Sequence, residues 1–307
     1  MPRWGFCAVP LVLCLCGCFM SASSARDFGS VRSKNEPGQI LAVRTSRTSS
    51  LDLELSGDLI GVPAGYHRFL TREDLLALPQ VTYTVNDDAN FTKPTEISGV
   101  LLEELNQRLS AKPLTDMVIA LSSDLYQANY PRAYLARHKP VLVLLVDGKP
   151  PADWPKASES HHGYMGPFMI SQANFVPTFH VLGNPEEAQI PWGVVRLVYR
   201  DERESFAAIA PRGQQANSAE VQAGFQIAQQ QCLHCHNQGR EGGQKAGSPW
   251  GVLSTWATAS PQYFAAYVRD PRSKNPRAQM PSNPNYDDAT LQALILYFRN
   301  FSREGTP

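Results

Sequence analysis

Beyond its first 25 residues the chain has almost no sulfur chemistry to offer. Of six cysteines, Cys7, Cys14, Cys16 and Cys18 lie near the start and only Cys232 and Cys235 lie further on. A framework of several disulfides is therefore excluded, and one close pair must account for whatever the thiols do. There is also no excess of charge of either sign: 28 lysine and arginine residues face 28 aspartate and glutamate residues. That balance gives no electrostatic case for nucleic acid or for an anionic membrane surface. No internal repeat and no low-complexity tract is present, which sets aside solenoids and biased linkers as the organising principle.

What is present begins with an apolar run from Trp4 to Met20, preceded by Arg3 and followed by the small residues Ser21 to Ala25. Charge, apolar core and small residues in that order read as an export signal, so residues 1–25 are expected to direct the chain to the periplasm or envelope. Two exits from the signal are open: cleavage after Ala25, or lipid modification of Cys18 in Leu15-Cys16-Gly17-Cys18, which resembles a bacterial lipoprotein box. The run is short for a membrane span. A membrane would thus be met only through a lipid anchor. Residues 26–50, serine-rich and charged, read as a flexible leader.

With 307 residues, two folded domains are the working count. From 51 to 200, short β-branched stretches alternate with turns and a few helix starts, which predicts an α+β domain. Thr71 with Asp74 three residues on caps a helix over Glu73 to Leu78, and Gly99 is expected to open another, carrying Leu101, Leu102, Leu105 and Leu109. Strands are predicted at Met117–Leu121, Val141–Val146, Phe168–Ile170 and Val194–Tyr199. Residues 201–217 read as a linker, and 218–303 as a second, all-α domain.

The second domain carries the most specific motif. Cys232-Leu233-His234-Cys235-His236 is the CxxCH pattern of c-type haem attachment. Two thiols one helical turn apart can add across the two vinyl groups of one haem, and the histidine after the second thiol is forced under the iron. A thioredoxin-type CxxC wants a βαβ setting, and a closed zinc site wants four ligands, typically from a second pair; neither accompanies this pair. His234, inside the motif, is expected to point to solvent.

Residues from about Ser218 to Phe301 resemble a single-haem class I cytochrome c. The features that carry the resemblance are an amphipathic helix with Val221, Gly224, Phe225 and Ala228 leading into the motif, and a proline-opened helix from Pro261 to Arg269. A loop Asn275-Pro276-Arg277-Ala278-Gln279-Met280-Pro281 and a closing helix with Leu291, Leu294, Ile295 and Phe298 complete it. The resemblance implies that Gly224 and Phe225 let the first helix cross the last near Tyr297 or Phe298. It also implies that Met280 supplies the second axial ligand of one covalent haem c. A methionine in an otherwise polar loop has no evident apolar face to fill, which favours ligation over gap-filling. Both axial positions filled means electron relay instead of oxygen activation, with a dehydrogenase or oxidase as redox partner. Arg269, Arg272, Lys274 and Arg277 could rim the haem edge or simply be a solvated face.

Residues 51–200 resemble, in the order of their motifs, the molybdopterin-binding domain of the sulfite oxidase family. Those motifs are Thr71 to Leu76, Gly99 to Leu102, Ala120 to Asp124 leading to Tyr126, Val146 to Pro150, and Gly166-Pro167-Phe168. Active members ligate molybdenum through a cysteine, and the corresponding stretch, Tyr83 to Glu96, has none. With that ligand missing, an unligated or absent cofactor is expected, and a domain used for docking or for binding something else, with a molybdopterin oxidoreductase feeding its own cytochrome as the alternative. His161, His162 and His180 invite a metal reading, though adjacent histidines in a polar loop are more often plain surface.

Overall fold

Leu53 and Leu55 point one way from the first strand and Glu54 the other, the alternation of a half-buried strand. The strand is β1 (Leu53–Gly57), and it enters a sheet in which an interior member, β7 (Val141–Val146), is apolar on both faces. The computed structural model describes residues 40–86, 88, 90–155, 164–173 and 188–302. The expected export signal, most of the leader, and His161, His162 and His180 lie outside the described residues.

Chain order runs β1, β2 (Arg68–Leu70), α1 (Arg72–Leu76), β3 (Val81–Val85), β4 (Thr95–Leu101), α2 (Leu102–Arg108), β5 (Met117–Ser122), β6 (Gln127–Pro131), α3 (Arg132–His138), β7, β8 (Phe168–Ser171) and β9 (Trp192–Arg200). Among the described residues these strands form one sheet, ordered β2-β1-β9-β8-β7-β4-β3, with the β5–β6 hairpin branching from β9. Only the β1–β9 pairing is parallel. Leu142, Leu144, Phe168 and Ile170 face one core, which α1, α2 and α3 cover through Leu75, Leu105 and Leu135. Val141, Val143 and Met169 face a second, smaller core with Trp154 and Met165. Burial on both faces is why β7 reads as an unbroken apolar run.

Thr71 caps α1 as expected, in a reciprocal capping box with Asp74. Gly99 does not open a helix. It lies inside β4 at a register shift against β7, where a Cβ would sit 2.0 Å from the Leu142 carbonyl oxygen. Glycine is there for a close backbone approach, and α2 begins three residues later. The end of the expected leader is held as well: Leu41 N–H donates to the Arg108 carbonyl and Arg44 exchanges backbone hydrogen bonds with Phe69.

The stretch 201–217 is not a free linker. It carries α4 (Glu202–Ala207), and fully buried Ile209 belongs to the core of the C-terminal helices. The Ile209 carbonyl accepts from Tyr297 Oη at 2.6 Å, and Tyr297 Oη in turn accepts from Trp250 Nε1 at 2.9 Å. The described residues from 40 to 302 accordingly fall in one compact unit.

The C-terminal part is helical apart from a short antiparallel pair, Asn237–Gln238 with Glu241–Gly242: its helices are α5 (Ala219–Gln230), α6 (Trp250–Ala259), α7 (Pro261–Arg269), α8 (Pro271–Lys274) and α9 (Asp288–Ser302). Helices α5 and α9 cross closely, since a Cβ on Gly224 would lie 2.1 Å from the Ala293 carbonyl oxygen and 2.7 Å from Tyr297 Cβ. Phe225 packs tilted against Tyr297 with ring centroids 5.6 Å apart. The helix crossing implied by the cytochrome resemblance is thus present, at Ala293 and Tyr297. Helices α6 and α8 were not foreseen.

Candidate functional site

Ser218 caps α5 by accepting from Val221 N–H, and the helix runs to Gln230 before a tight turn over Cys232 to His234. That geometry delivers the two thiols and His236 in succession at the helix's end. His236 N–H and Cys235 N–H both donate to the Cys232 carbonyl, at 2.9 and 3.2 Å, so the motif is wound into a single turn. Cys232 and Cys235 are both free and half-buried.

Burial, with the neighbouring Cys235, pushes the Cys232 thiol up to about 12. Burial also pushes Cys235 up to about 11, against the opposing effect of Lys245 and with that of Asp124. Both therefore stay protonated at neutral pH. A redox-active CxxC needs a thiolate and a lowered value, so this pair is unsuited to disulfide exchange.

His236 Nδ1 lies 2.6 Å from the Ser248 carbonyl oxygen. A carbonyl only accepts, so Nδ1 carries the proton and Nε2 keeps a free lone pair, the arrangement of a metal-binding imidazole. Burial lowers its basicity, offset in part by the Ser248 bond, which further favours the neutral, ligating form.

Met280 sits in the loop between α8 and α9. That loop is pinned by Ala278 N–H to the Asn275 carbonyl, by Asn283 N–H to the Arg269 carbonyl, and by the Arg269 guanidinium on the Tyr286 carbonyl and Asp288. Met280 itself is half-buried and packs against the C-terminal core. The premise that it has no apolar neighbour is thus corrected, and its claim to be a ligand rests on its place after the CxxCH helix. Of the four basic residues that could rim the haem edge or form a solvated face, Arg269 is committed to the loop, while Arg272, Lys274 and Arg277 are exposed. Two neutral thiols, an imidazole with a free Nε2 and a thioether on an anchored loop form a donor set that suits a covalently held haem.

His234 departs from expectation. It is 4% exposed, not solvent-facing, and both its ring nitrogens are engaged by the sheet domain. Nε2 lies 2.6 Å from Gln189 Oε1, and Nδ1 lies 2.6 Å from Tyr126 Oη. Since an amide oxygen only accepts, Nε2 carries the proton and Tyr126 donates to Nδ1. Burial depresses His234 to about 3, so the ring is neutral. Nothing in the CxxCH pattern distinguishes this from a solvated histidine, because the partners are 45 and 108 residues away.

Residues 219–298 match the family model described as cytochrome c oxidase, cbb3-type, subunit III. This segment is a cytochrome c domain. A cytochrome c domain implies haem c. The match covers about a quarter of the chain. No curated protein matches the chain. Among solved structures, the sulfane dehydrogenase SoxCD from Paracoccus pantotrophus is similar at 21% identity, with a TM-score of 0.34. That similarity covers 52% of this chain and 42% of the other, so less than half of that protein's length is represented.

The stretch Tyr83 to Glu96, which the sulfite oxidase resemblance sets against a molybdenum-ligating loop, leads from β3 to β4, and its described residues Asn90, Phe91 and Lys93 line a cavity of about 250 Å³ with Asp147 and Lys149. Asp88, buried, accepts from Ser171 Oγ at 2.5 Å. The hairpin offers hydroxyls, amides and carboxylates but no sulfur. This donor set does not fit a molybdopterin bound through a thiolate.

Proposed function

We propose that this chain is an exported electron carrier holding one haem c, bound through thioethers to Cys232 and Cys235 and ligated at iron by His236 and Met280. The observation that carries the reading is His236, whose Nδ1 is anchored to the Ser248 carbonyl so that Nε2 is left free at the end of a CxxCH turn. When bound, the haem supplies a one-electron couple. The chain's residues do the rest. Cys232 and Cys235 would hold the haem as thioethers, a thiol addition that needs no oxidant. Ser248 fixes the imidazole tautomer of His236, and Met280 would be the second protein donor to the iron, leaving oxygen no free position. The sheet domain serves as a non-catalytic docking and shielding part, a role supported by the thiol-free hairpin at Tyr83 to Glu96 and by its grip on His234. Residues 1–25 direct the chain to the periplasm or envelope, by cleavage or by lipidation at Cys18, and a dehydrogenase or oxidase exchanges electrons with it.

The test is a redox titration of the purified protein with parallel metal analysis. Expected are a reversible one-electron couple, iron without molybdenum, and no oxidation of sulfite unless an enzyme is added. Molybdenum in amounts comparable to iron, with turnover, would replace this reading by that of a molybdopterin oxidoreductase that reduces its own cytochrome.

A further inference from the structure

The haem-attachment turn and the sheet domain meet at a buried, directional contact for which electron transfer alone gives no reason. We propose that His234 is a positioning residue through which the sheet domain becomes one wall of the haem site, closing the Cys235 side of the attachment loop to water and to exchanging partners. The proposal rests on the haem c reading above.

Four observations converge. His234 spends both nitrogens on the other domain, one on Tyr126 and one on Gln189. Gln189 is itself fixed: Tyr130 Oη donates to its carbonyl at 2.8 Å, and its backbone N–H donates to Tyr134 Oη at 2.9 Å. The loop after the motif lies on the β5–β6 hairpin, with Gln244 N–H donating to the Leu125 carbonyl at 3.0 Å and Lys245 paired with Asp124 at 2.5 Å. That same loop folds back on the motif, because Gly243 N–H donates to Leu233 and Ala246 N–H to Cys235. A Cβ on Gly243 would sit 1.8 Å from the His234 carbonyl oxygen, so only glycine lets the loop lie this close.

The hairpin also accepts a cost to present its contacts. Leu125, which offers the carbonyl to Gln244, holds φ at 69°, a conformation that a leucine adopts unfavourably. Tyr126 beside it, half-buried and tilted against the His234 ring with centroids 4.9 Å apart, donates its hydroxyl to His234 Nδ1. Closing this side to water leaves a less polar surrounding, which disfavours the more highly charged ferric state, so the potential is higher with the wall than without it.

Tyr126→Phe removes a single hydroxyl; His234→Ala removes the whole clamp; His234→Gln restores a donor and an acceptor. Each is prepared as the full haem-loaded chain, and haem attachment is first verified by staining after denaturation. Midpoint potential and amide exchange at Gly243, Gln244 and Ala246 are then measured. Tyr126→Phe and His234→Ala are expected to lower the potential and to speed exchange of the Gln244 amide about tenfold, the weight of one hydrogen bond. His234→Gln is expected to recover part of both. Unchanged potential overturns the proposal even if exchange accelerates, since a contact that only joins the domains would behave so. Should His234→Ala fail to fold, Tyr126→Phe decides. A wild-type chain without covalent haem overturns this proposal together with the reading beneath it, whereas attached haem with an unmoved potential overturns this proposal alone.

Discussion

Two helical glycines should respond to alanine in opposite directions. Gly224 sits where α5 crosses α9, and the atoms that a new methyl would strike at 2.1, 2.6 and 2.7 Å are the Ala293 carbonyl and Tyr297 Cβ. None of these can rotate away, so the two helices must separate, and overpacking of this kind costs about 1–3 kcal/mol. Gly251, the second residue of α6, has no atom within 4 Å of where its Cβ would be. There, alanine only narrows the unfolded ensemble and should stabilise by about 0.4–1 kcal/mol. For a unit of this size 1 kcal/mol moves the midpoint by roughly 2–4 °C. Gly224→Ala should therefore melt below and Gly251→Ala slightly above the parent, with the two separated by roughly 3 to 16 °C. Thermal unfolding followed at the haem absorbance and in the far ultraviolet measures both. Equal midpoints, or a Gly224→Ala variant as stable as the parent, would refute the packing argument for α5 and α9.

Acid should act on the N-terminal strand through Asp52. Burial alone would raise its carboxyl, but the Thr48 N–H at 2.6 Å, the Thr48 hydroxyl at 2.8 Å and the Ser49 N–H at 3.0 Å bring it below the ordinary value. A depressed folded value contributes stability above the unfolded value, near 3.9, and loses it as pH falls through the folded one. Asp52→Ala should therefore cost about 1–2 kcal/mol at neutral pH, and urea unfolding should show the gap from the parent closing below about pH 4. Met280→Ala should keep the haem covalently bound yet lower its potential, because a thioether prefers ferrous iron, and should let carbon monoxide bind the reduced protein. Optical titration of the variant reads both effects, and a variant indistinguishable from the parent would remove Met280 from the ligand set.

The cytochrome half was legible because its chemistry is local. CxxCH lies within five residues, Pro261 opens its helix at the expected place, and Gly224 marks a crossing that the backbone contacts bear out. Strands β5, β7, β8 and β9 were also visible, since a short run rich in apolar residues between turn signals needs no partner to be recognised. What stayed hidden depends on distant partners. Gly99 has the same appearance before a helix as inside a bulged strand, and only Leu142 across the ladder distinguishes them. Residues 201–217 read as a linker because Phe206 to Ala210 is only a short apolar patch between polar stretches, and Ile209 meets Tyr297, 88 residues away. His234 was misplaced for the same reason, its solvent being replaced by Tyr126 and Gln189.

The central claim is that Cys232 and Cys235 hold one haem covalently. Intact-mass measurement of the exported protein after extraction with acidified organic solvent, beside the Cys232→Ala/Cys235→Ala variant, tests it most directly. The account predicts the polypeptide plus one haem for the parent and the bare polypeptide for the variant. A parent chain stripped to the bare polypeptide, or a variant that keeps its haem, would contradict it.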